Sequence, residues 1–249
     1  MKAILTVSVA LSFLAPLSVA GAENPSATAC IYQFKGDVQV LEPGSQAWLT
    51  VKSAVPLTEG ERLKTGPGAW CQVLAGDGTF LNLYENSETV IEKLRLEKEK
   101  RDYGFNFIKG RILWMAAKLK NRASKFEITT PSAVCAVRGT DFAIDVSSDA
   151  TDIGLFEGQL NIQGGGKETP LSAGSEAVTA PGSVQVSVRF SRLMEAEKRR
   201  YLRLQKHVDE LRSKLNAREG FIDSFVQDQQ KKLQEFESRR QEKLNKRGK

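Results

Sequence analysis

The chain has 249 residues, with 36 Lys and Arg against 30 Asp and Glu, one histidine and three cysteines. A single histidine, His207 in the tail, argues against a zinc or iron centre of the usual ligand set and leaves Cys71 and Cys135 without a histidine partner on the β domain. The net charge of +6 sits in the tail: from Ser191 onward there are 17 basic and 10 acidic residues, leaving 19 against 20 elsewhere. An electrostatic partner is therefore expected at the tail.

Lys2 followed by the apolar stretch Ala3 to Val19 and the small-x-small sites Ser18-Val-Ala20 and Ala20-Gly-Ala22 reads as a secretory signal peptide over residues 1–22, cut after Ala22. No second apolar run is long enough to cross a bilayer, so the mature chain is expected outside the cytoplasm, periplasmic or secreted. In that compartment Cys30, Cys71 and Cys135 allow at most one internal bridge. Cys71 and Cys135, inside apolar strands, also read as small buried side chains.

Residues 31–188 have β texture. Val38-x-Val40, Cys71-x-Val73-x-Ala75 and Val184-x-Val186-x-Val188 alternate with polar neighbours. Turn signals stand between such runs, among them Pro43-Gly44, Thr65-Gly-Pro-Gly68, Gly76-Asp-Gly78 and Gly164-Gly-Gly166. Their spacing suits an all-β sandwich, a roll or an irregular β-helix. Lys93 to Arg101 is dense in charge and fits either a helix or an exposed hairpin. An echo recurs at Gly36-Asp-Val-Gln-Val40, Gly110-Arg-Ile-Leu-Trp114 and Gly158-Gln-Leu-Asn-Ile162, read as a tight turn feeding a strand, with intervals too unequal for a solenoid.

The stretch from Phe126 to Ile144 reads as two apolar strands interrupted by Arg138-Gly139. A charge at that depth needs a partner. Five fixed donors suit Arg138 to an internal clamp, holding turn carbonyls and a carboxylate such as Asp141 or Glu157; a ligand contact is the other reading.

Residues 190–249 change texture to helix. Tyr201, Leu204, Val208, Leu211 and Leu215 alternate steps of three and four, the seam of a coiled coil or of a packed amphipathic helix. Gly220 interrupts, and Ile222, Phe225, Val226, Leu233 and Phe236 resume a stripe, so the arm is one helix or two joined near Gly220. The seam implies self-association or packing on the chain's own β domain. His207, on this helix, reads as a solvated surface residue.

Catalytic, cofactor and metal motifs are lacking: there is no Gly-x-Ser-x-Gly, phosphate-cradling loop or dinucleotide fingerprint. Asp77, Glu85, Asp141, Asp145 and Glu157 could supply a paired-carboxylate hydrolase, yet spacing singles out no two of them. The tail lacks the aromatic interleaving of a nucleic-acid binder.

The ordered set Gly36-x-Val38-x-Val40, Leu57-x-x-Gly60-Glu-x-Leu63-x-Thr65-Gly66, Gly76-Asp-Gly78-Thr-Phe-Leu, Glu85-Asn-Ser87, Gly110-Arg-Ile, Thr130-Pro131 through Arg138-Gly139-Thr140-x-Phe142, and Glu157-Gly158 resembles the FecR domain family. The resemblance covers about Gly36 to Val178 and implies an all-β extracytoplasmic domain with Thr130, Pro131, Arg138, Gly139, Thr140 and Phe142 as a structural motif. The best-known members relay a signal from an outer-membrane transporter to a cytoplasmic sigma factor. This chain departs from them in having a signal peptide in place of the cytoplasmic and transmembrane segments, and a basic helical tail. The expectation is a non-enzymatic, cofactor-free binding or scaffold module of the cell envelope. Its expected partners are an envelope protein or anionic envelope component, with self-association through the C-terminal helix, and no nucleic acid. The alternatives are a ligand-sensing accessory of a transmembrane signalling system and an enzyme acting on envelope polysaccharide.

Overall fold

A computed structural model describes residues 27–97, 100–118, 125–148 and 150–247. The side chains of Arg138 and of residues 243–247 lie outside the description, as does the whole expected leader. The first strands are β1 (Ala29–Lys35), β2 (Val38–Leu41), β3 (Leu49–Thr50), β4 (Val55–Leu57), β5 (Arg62–Thr65), β6 (Trp70–Ala75), β7 (Phe80–Leu83) and β8 (Glu88–Glu97). They are followed by β9 (Lys100–Met115), β10 (Lys125–Thr129), β11 (Val134–Val146), β12 (Thr151–Gly164), β13 (Lys167–Ser172), β14 (Glu176–Ala180) and β15 (Ser183–Ser187). Helices α1 (Arg192–Ala217) and α2 (Phe221–Arg247) complete the chain. The chain is mostly β with a C-terminal helical region, as its texture implies.

All described strands join one sheet. Its main path runs β15-β14-β12-β11-β10-β9-β7-β6-β1-β4, with β13 paired to β12 and β2, β3, β5 and β8 branching from it. The described pairings are antiparallel except that of β10 with β9. That is the pattern of a rolled sheet and not of stacked parallel β-helix coils.

Three long strands turn corners, and each does so at a glycine with positive φ. In β9, Tyr103, Phe105 and Phe107 face the main core, and after Gly110 (φ 88) Ile112 and Trp114 do. In β11 the inward residues are Cys135 and Val137, then, past Gly139 (φ 57), Phe142, Ile144 and Val146. In β12 they are Ile153 and Leu155, then, past Gly158 (φ 90), Leu160 and Ile162. Side chains alternate faces strictly along a strand, so an inward set that jumps from odd to even positions requires an irregular residue between them. Partners change at the same points: β9 leaves β8 for β7 and β11, and β12 leaves β14 for β13. The sheet thus folds over its own apolar face, with strands crossing between walls through local bulges.

Two expectations are corrected here. Arg138-Gly139 does not separate two strands; it is the bend of the single strand β11. Of the three echo glycines only Gly36 lies between strands, while Gly110 and Gly158 bend strands from within. Lys93–Arg101 adopts the hairpin alternative, with Glu97 paired to Lys100. Cys30, Cys71 and Cys135 are buried free thiols, and burial pushes Cys30 and Cys135 up to about 12.

Candidate functional site

The motifs that carry the family resemblance are turn and corner pins. In the Gly76-Asp77-Gly78-Thr79 turn, Asp77 accepts from the Thr79 amide at 2.9 Å. Arg101 of β9 then reaches in to Asp77 (3.0 Å), the Thr79 hydroxyl (3.0 Å) and the Ala117 carbonyl (3.1 Å). The Arg101 and Asp77 side chains are only 3% and 2% exposed. Arg101 thus clamps a turn and a carboxylate, while the clamp expected of Arg138 falls on a side chain outside the described residues. Arg101 lay at the end of the charge-dense hairpin, where charge alone suggested exposure.

Glu85-Asn86-Ser87 is a second pin. Asn86 adopts φ 56, Glu85 accepts from the Gly68 amide at 2.8 Å, and the Ser87 hydroxyl bridges the Arg111 amide and carbonyl at 3.0 Å each. Thr130 forms the third: its hydroxyl closes the turn onto Ala133 (3.0 and 3.1 Å), with Pro131 exposed at the tip. Ser132 continues the chain of hydroxyls to Thr151 at 2.9 Å and Thr179 at 2.6 Å, tying β10 and β11 to β12 and β14. Thr140 and Phe142 are fully buried, and Phe142 stacks parallel to Trp114 with centroids 6.2 Å apart. The described motif side chains therefore hold the fold.

The outward face of the same strands meets α1. Leu74, Phe80, Leu113, Met115 and Ala143 pack with Met194, Tyr201, Val208 and Leu211, flanked by Leu204 and Leu215. Of the two readings of this stripe, a seam for a partner helix and a face packed on the chain's own β domain, the second is the one seen. His207 is half-buried, its ring 6.2 Å from Tyr32 and 6.5 Å from Phe80, and not solvated as expected.

Polar contacts fix α1 in place. Ser191 caps it through the Met194 amide at 3.2 Å, and its own amide donates to buried Glu176. Fully buried Glu197 takes Arg111 of β9 at 3.2 Å and pairs with Arg200. Arg111 also holds Asp145 at 2.7 Å. Arg212 donates to the Gly78 and Met115 carbonyls at 3.1 and 3.2 Å.

Asp141 and Glu157 stand opposite each other in register and converge on Tyr201, whose hydroxyl is 3.2 Å from Glu157. Burial pushes Asp141 up to about 6, while hydrogen bonding from Lys118 holds Glu157 below the usual carboxylate range. Spacing could not select this pair; the two corners of β11 and β12 bring it together. Tyr201 covers it, so the pair seats a helix. Among the described residues no group of three His, Cys, Asp or Glu side chains is placed to hold a metal ion.

Beside α1 the sheet face stays open. A cleft of about 290 Å³ is lined by Trp70, Gln72, Asn82, Tyr84, Arg200, Arg203 and Leu204. A second hollow of about 400 Å³ shares Trp70, Tyr84 and Arg200 with it. The sequence signal for these residues was Trp70-x-Gln72 and Asn82-x-Tyr84, polar or aromatic positions alternating with strand-core residues. Sequence reasoning passed them over as ordinary outward positions.

Helix α2 starts after Gly220 (φ 68), which separates it from α1 and decides between one helix and two. Ile222 and Val226 pack with Cys30 and Ala54, and beyond Val226 most side chains are exposed, Phe236 by 64%. No helix among the described residues is long and apolar enough to cross a membrane.

The family model described as FecR protein matches residues 61–161. Two crystal structures of a candidate anti-sigma factor from Parabacteroides distasonis, at 1.65 and 2.50 Å resolution, each match with 14% identity and a TM-score of 0.44. The matches cover 53% and 51% of this chain and 60% and 59% of those chains, less than two thirds of their length. No curated protein matches the chain.

Proposed function

We propose that this chain is a non-enzymatic FecR-domain protein, exported to the periplasm or beyond, that binds a component of the cell envelope and attaches through α2. The observation that supports this reading most is the division of labour between the helices. Helix α1 is part of the folded body, whereas α2 beyond Val226 carries exposed Lys231, Lys232, Arg239 and Arg240 away from it. Residues 227–249 hold 8 Lys and Arg against 4 Asp and Glu, and a helix with that surplus suits an anionic surface or an acidic partner protein. Retention of the mature chain on its own envelope fraction tests this. Retention should fall when the chain is ended at Gln230, and should fall as salt shortens the reach of surface charges. Equal retention of the shortened chain removes α2 from the mechanism.

A second reading, a ligand-sensing accessory of a transmembrane signalling system, draws support from the FecR match itself. Crosslinking in the envelope separates the two: a single membrane-protein partner favours signalling, and a glycan or lipid fraction favours attachment.

A further inference from the structure

We propose that the cleft between β6, β7 and α1 is a binding site for an acidic saccharide, a sugar chain bearing carboxylates. This deepens the envelope-binding reading above by giving it a ligand class and a place on the body distinct from α2.

The argument starts from strand alternation. Cys71 and Val73 of β6, and Leu81 and Leu83 of β7, point into the main core. Their neighbours Trp70, Gln72, Asn82 and Tyr84 must therefore point outward, onto the face that α1 only partly covers. The register pairs Gln72 with Asn82, which sets two side-chain amides next to each other. One step along the strands the same face carries two aromatic rings, Trp70 and Tyr84. The result is a tile of two amides and two aromatics, the first pair buried to 8% and 5% exposure.

The floor is incompletely satisfied. Oε1 of Gln72 is buried and has no hydrogen-bond partner among the described residues. A buried acceptor in that state is costly and is relieved by any donor that enters the cleft. A sugar hydroxyl both donates and accepts, so it matches a pair of amides, which supply one acceptor and two donors each. The half-exposed Trp70 ring suits the apolar face of a pyranose, while Tyr84 carries Arg200 on its ring and forms the wall.

The rim adds charge selection. Arg200 lies over the Tyr84 ring, 5.1 Å from its centroid, and is held in place by Glu197. Arg203, one turn further, is exposed at the edge of the cleft. Planar guanidinium groups recognise carboxylates with two parallel hydrogen bonds, which makes an acidic sugar a better fit than a neutral one. The adjoining hollow shares Trp70, Tyr84 and Arg200 and is also lined by Glu85 and Asp145, so it gives room for a further sugar unit that carries no carboxylate there.

The test is tryptophan fluorescence and calorimetric titration of the full mature chain with trigalacturonate and with the disaccharide of N-acetylglucosamine and N-acetylmuramic acid. The controls are chitobiose, tripolyphosphate and a short oligothymidylate. At least one carboxylated sugar should bind, and chitobiose should bind about tenfold more weakly or worse. Trp70→Ala should abolish binding. Gln72→Leu should weaken it by about tenfold or more while leaving the melting temperature unchanged or raised, because it removes an unsatisfied buried group. Arg203→Gln should weaken binding and flatten its salt dependence.

The proposal is overturned if neither carboxylated sugar binds at millimolar concentration, or if Trp70→Ala and Gln72→Leu bind like the parent. It is also overturned if tripolyphosphate or the oligothymidylate binds as tightly as the sugars. Undiminished envelope retention alongside absent sugar binding would discard this site and leave the α2 reading standing. Loss of both would discard both.

Discussion

A methyl group added to Gly158 would stand 2.7 Å from the carbonyl oxygen of Gly139. These two glycines are the corners of β11 and β12, and they turn against each other. The close approach lets both strands cross from one wall of the roll to the other at the same level. Gly158→Ala should therefore combine a left-handed backbone penalty with a collision against backbone atoms. We expect a loss of about 3 kcal/mol or more. Gly174→Ala is the control, since Gly174 has a similar φ of 86 and nothing within 4 Å of its would-be side chain. It should cost only about 1 kcal/mol. Urea denaturation of the two variants separates backbone strain from crowding, and equal losses would refute the packed corner.

The Asp141 carboxyl should make stability depend on pH in an unusual direction. Burial raises its folded pKa to about 6, against the contributions of Tyr201, Arg212 and Lys118, while Glu157 adds to the rise. The unfolded carboxyl titrates near 4, so between these values the folded protein binds more protons. Stability from this group therefore falls as pH rises from about 4 through about 6, by on the order of 3 kcal/mol. Glu157, whose folded pKa is lowered, acts the other way, and its contribution is lost as the solution falls below the ordinary carboxylate range. Asp141→Asn should raise the denaturation midpoint at pH 7 and flatten the slope between pH 4 and pH 7. Tyr201→Phe should move the inflection upward, because the Tyr201 hydroxyl helps hold Asp141 down. An unaltered profile in Asp141→Asn would rule this out.

Much of this architecture was legible because it rests on local pattern. The alternation at Cys71-x-Val73-x-Ala75 and the glycine turns gave the strands, and the three-four spacing of Tyr201 to Leu215 gave the helix. What spacing could not give was the destination of that stripe. A seam for a partner and a seam for one's own sheet have the same periodicity, and only the outward residues Leu74, Phe80, Leu113 and Met115, scattered over three strands, decide between them. The corners were half visible: Gly110 and Gly158 drew notice as recurring glycines, and Gly139 as the neighbour of Arg138. The informative signal was the jump in inward parity on either side, from Phe107 to Ile112 and from Leu155 to Leu160. Arg101 was missed because its partners Asp77 and Thr79 lie across a sheet, beyond the reach of any local charge count.

Arg101 supplies a sharper stability test than any surface charge. Its pairing with Asp77 is almost wholly buried, and it also holds Thr79 and the chain end of β9. Removing one partner leaves an uncompensated carboxylate in the interior, so Arg101→Ala should cost about 3–5 kcal/mol. Combining Arg101→Met with Asp77→Asn should recover part of that loss, because no charge then stays buried. By contrast Arg95→Ala, which breaks an exposed pair with Glu59, should leave the unfolding midpoint close to that of the parent. Thermal and urea unfolding of the three variants would refute the buried clamp if Arg101→Ala and Arg95→Ala proved equivalent.

The two helices should respond differently to truncation. A chain ended at Arg189 loses α1 and uncovers Leu74, Phe80, Leu113, Met115 and Ala143 together, a contiguous apolar face that should cause aggregation. A chain ended at Gln230 keeps Ile222 and Val226 on Cys30 and Ala54 and loses only exposed helix. Its unfolding free energy should stay within about 0.5 kcal/mol of the parent, as for surface changes away from packed features. Sedimentation then reads out assembly: if Leu233 and Phe236 on the projecting half of α2 mediate self-association, the mature chain is heavier than a monomer and the Gln230 version is monomeric. A soluble, fully stable chain ending at Arg189 would contradict the docking of α1. Equal masses for the mature and Gln230 chains would remove α2 as an assembly element.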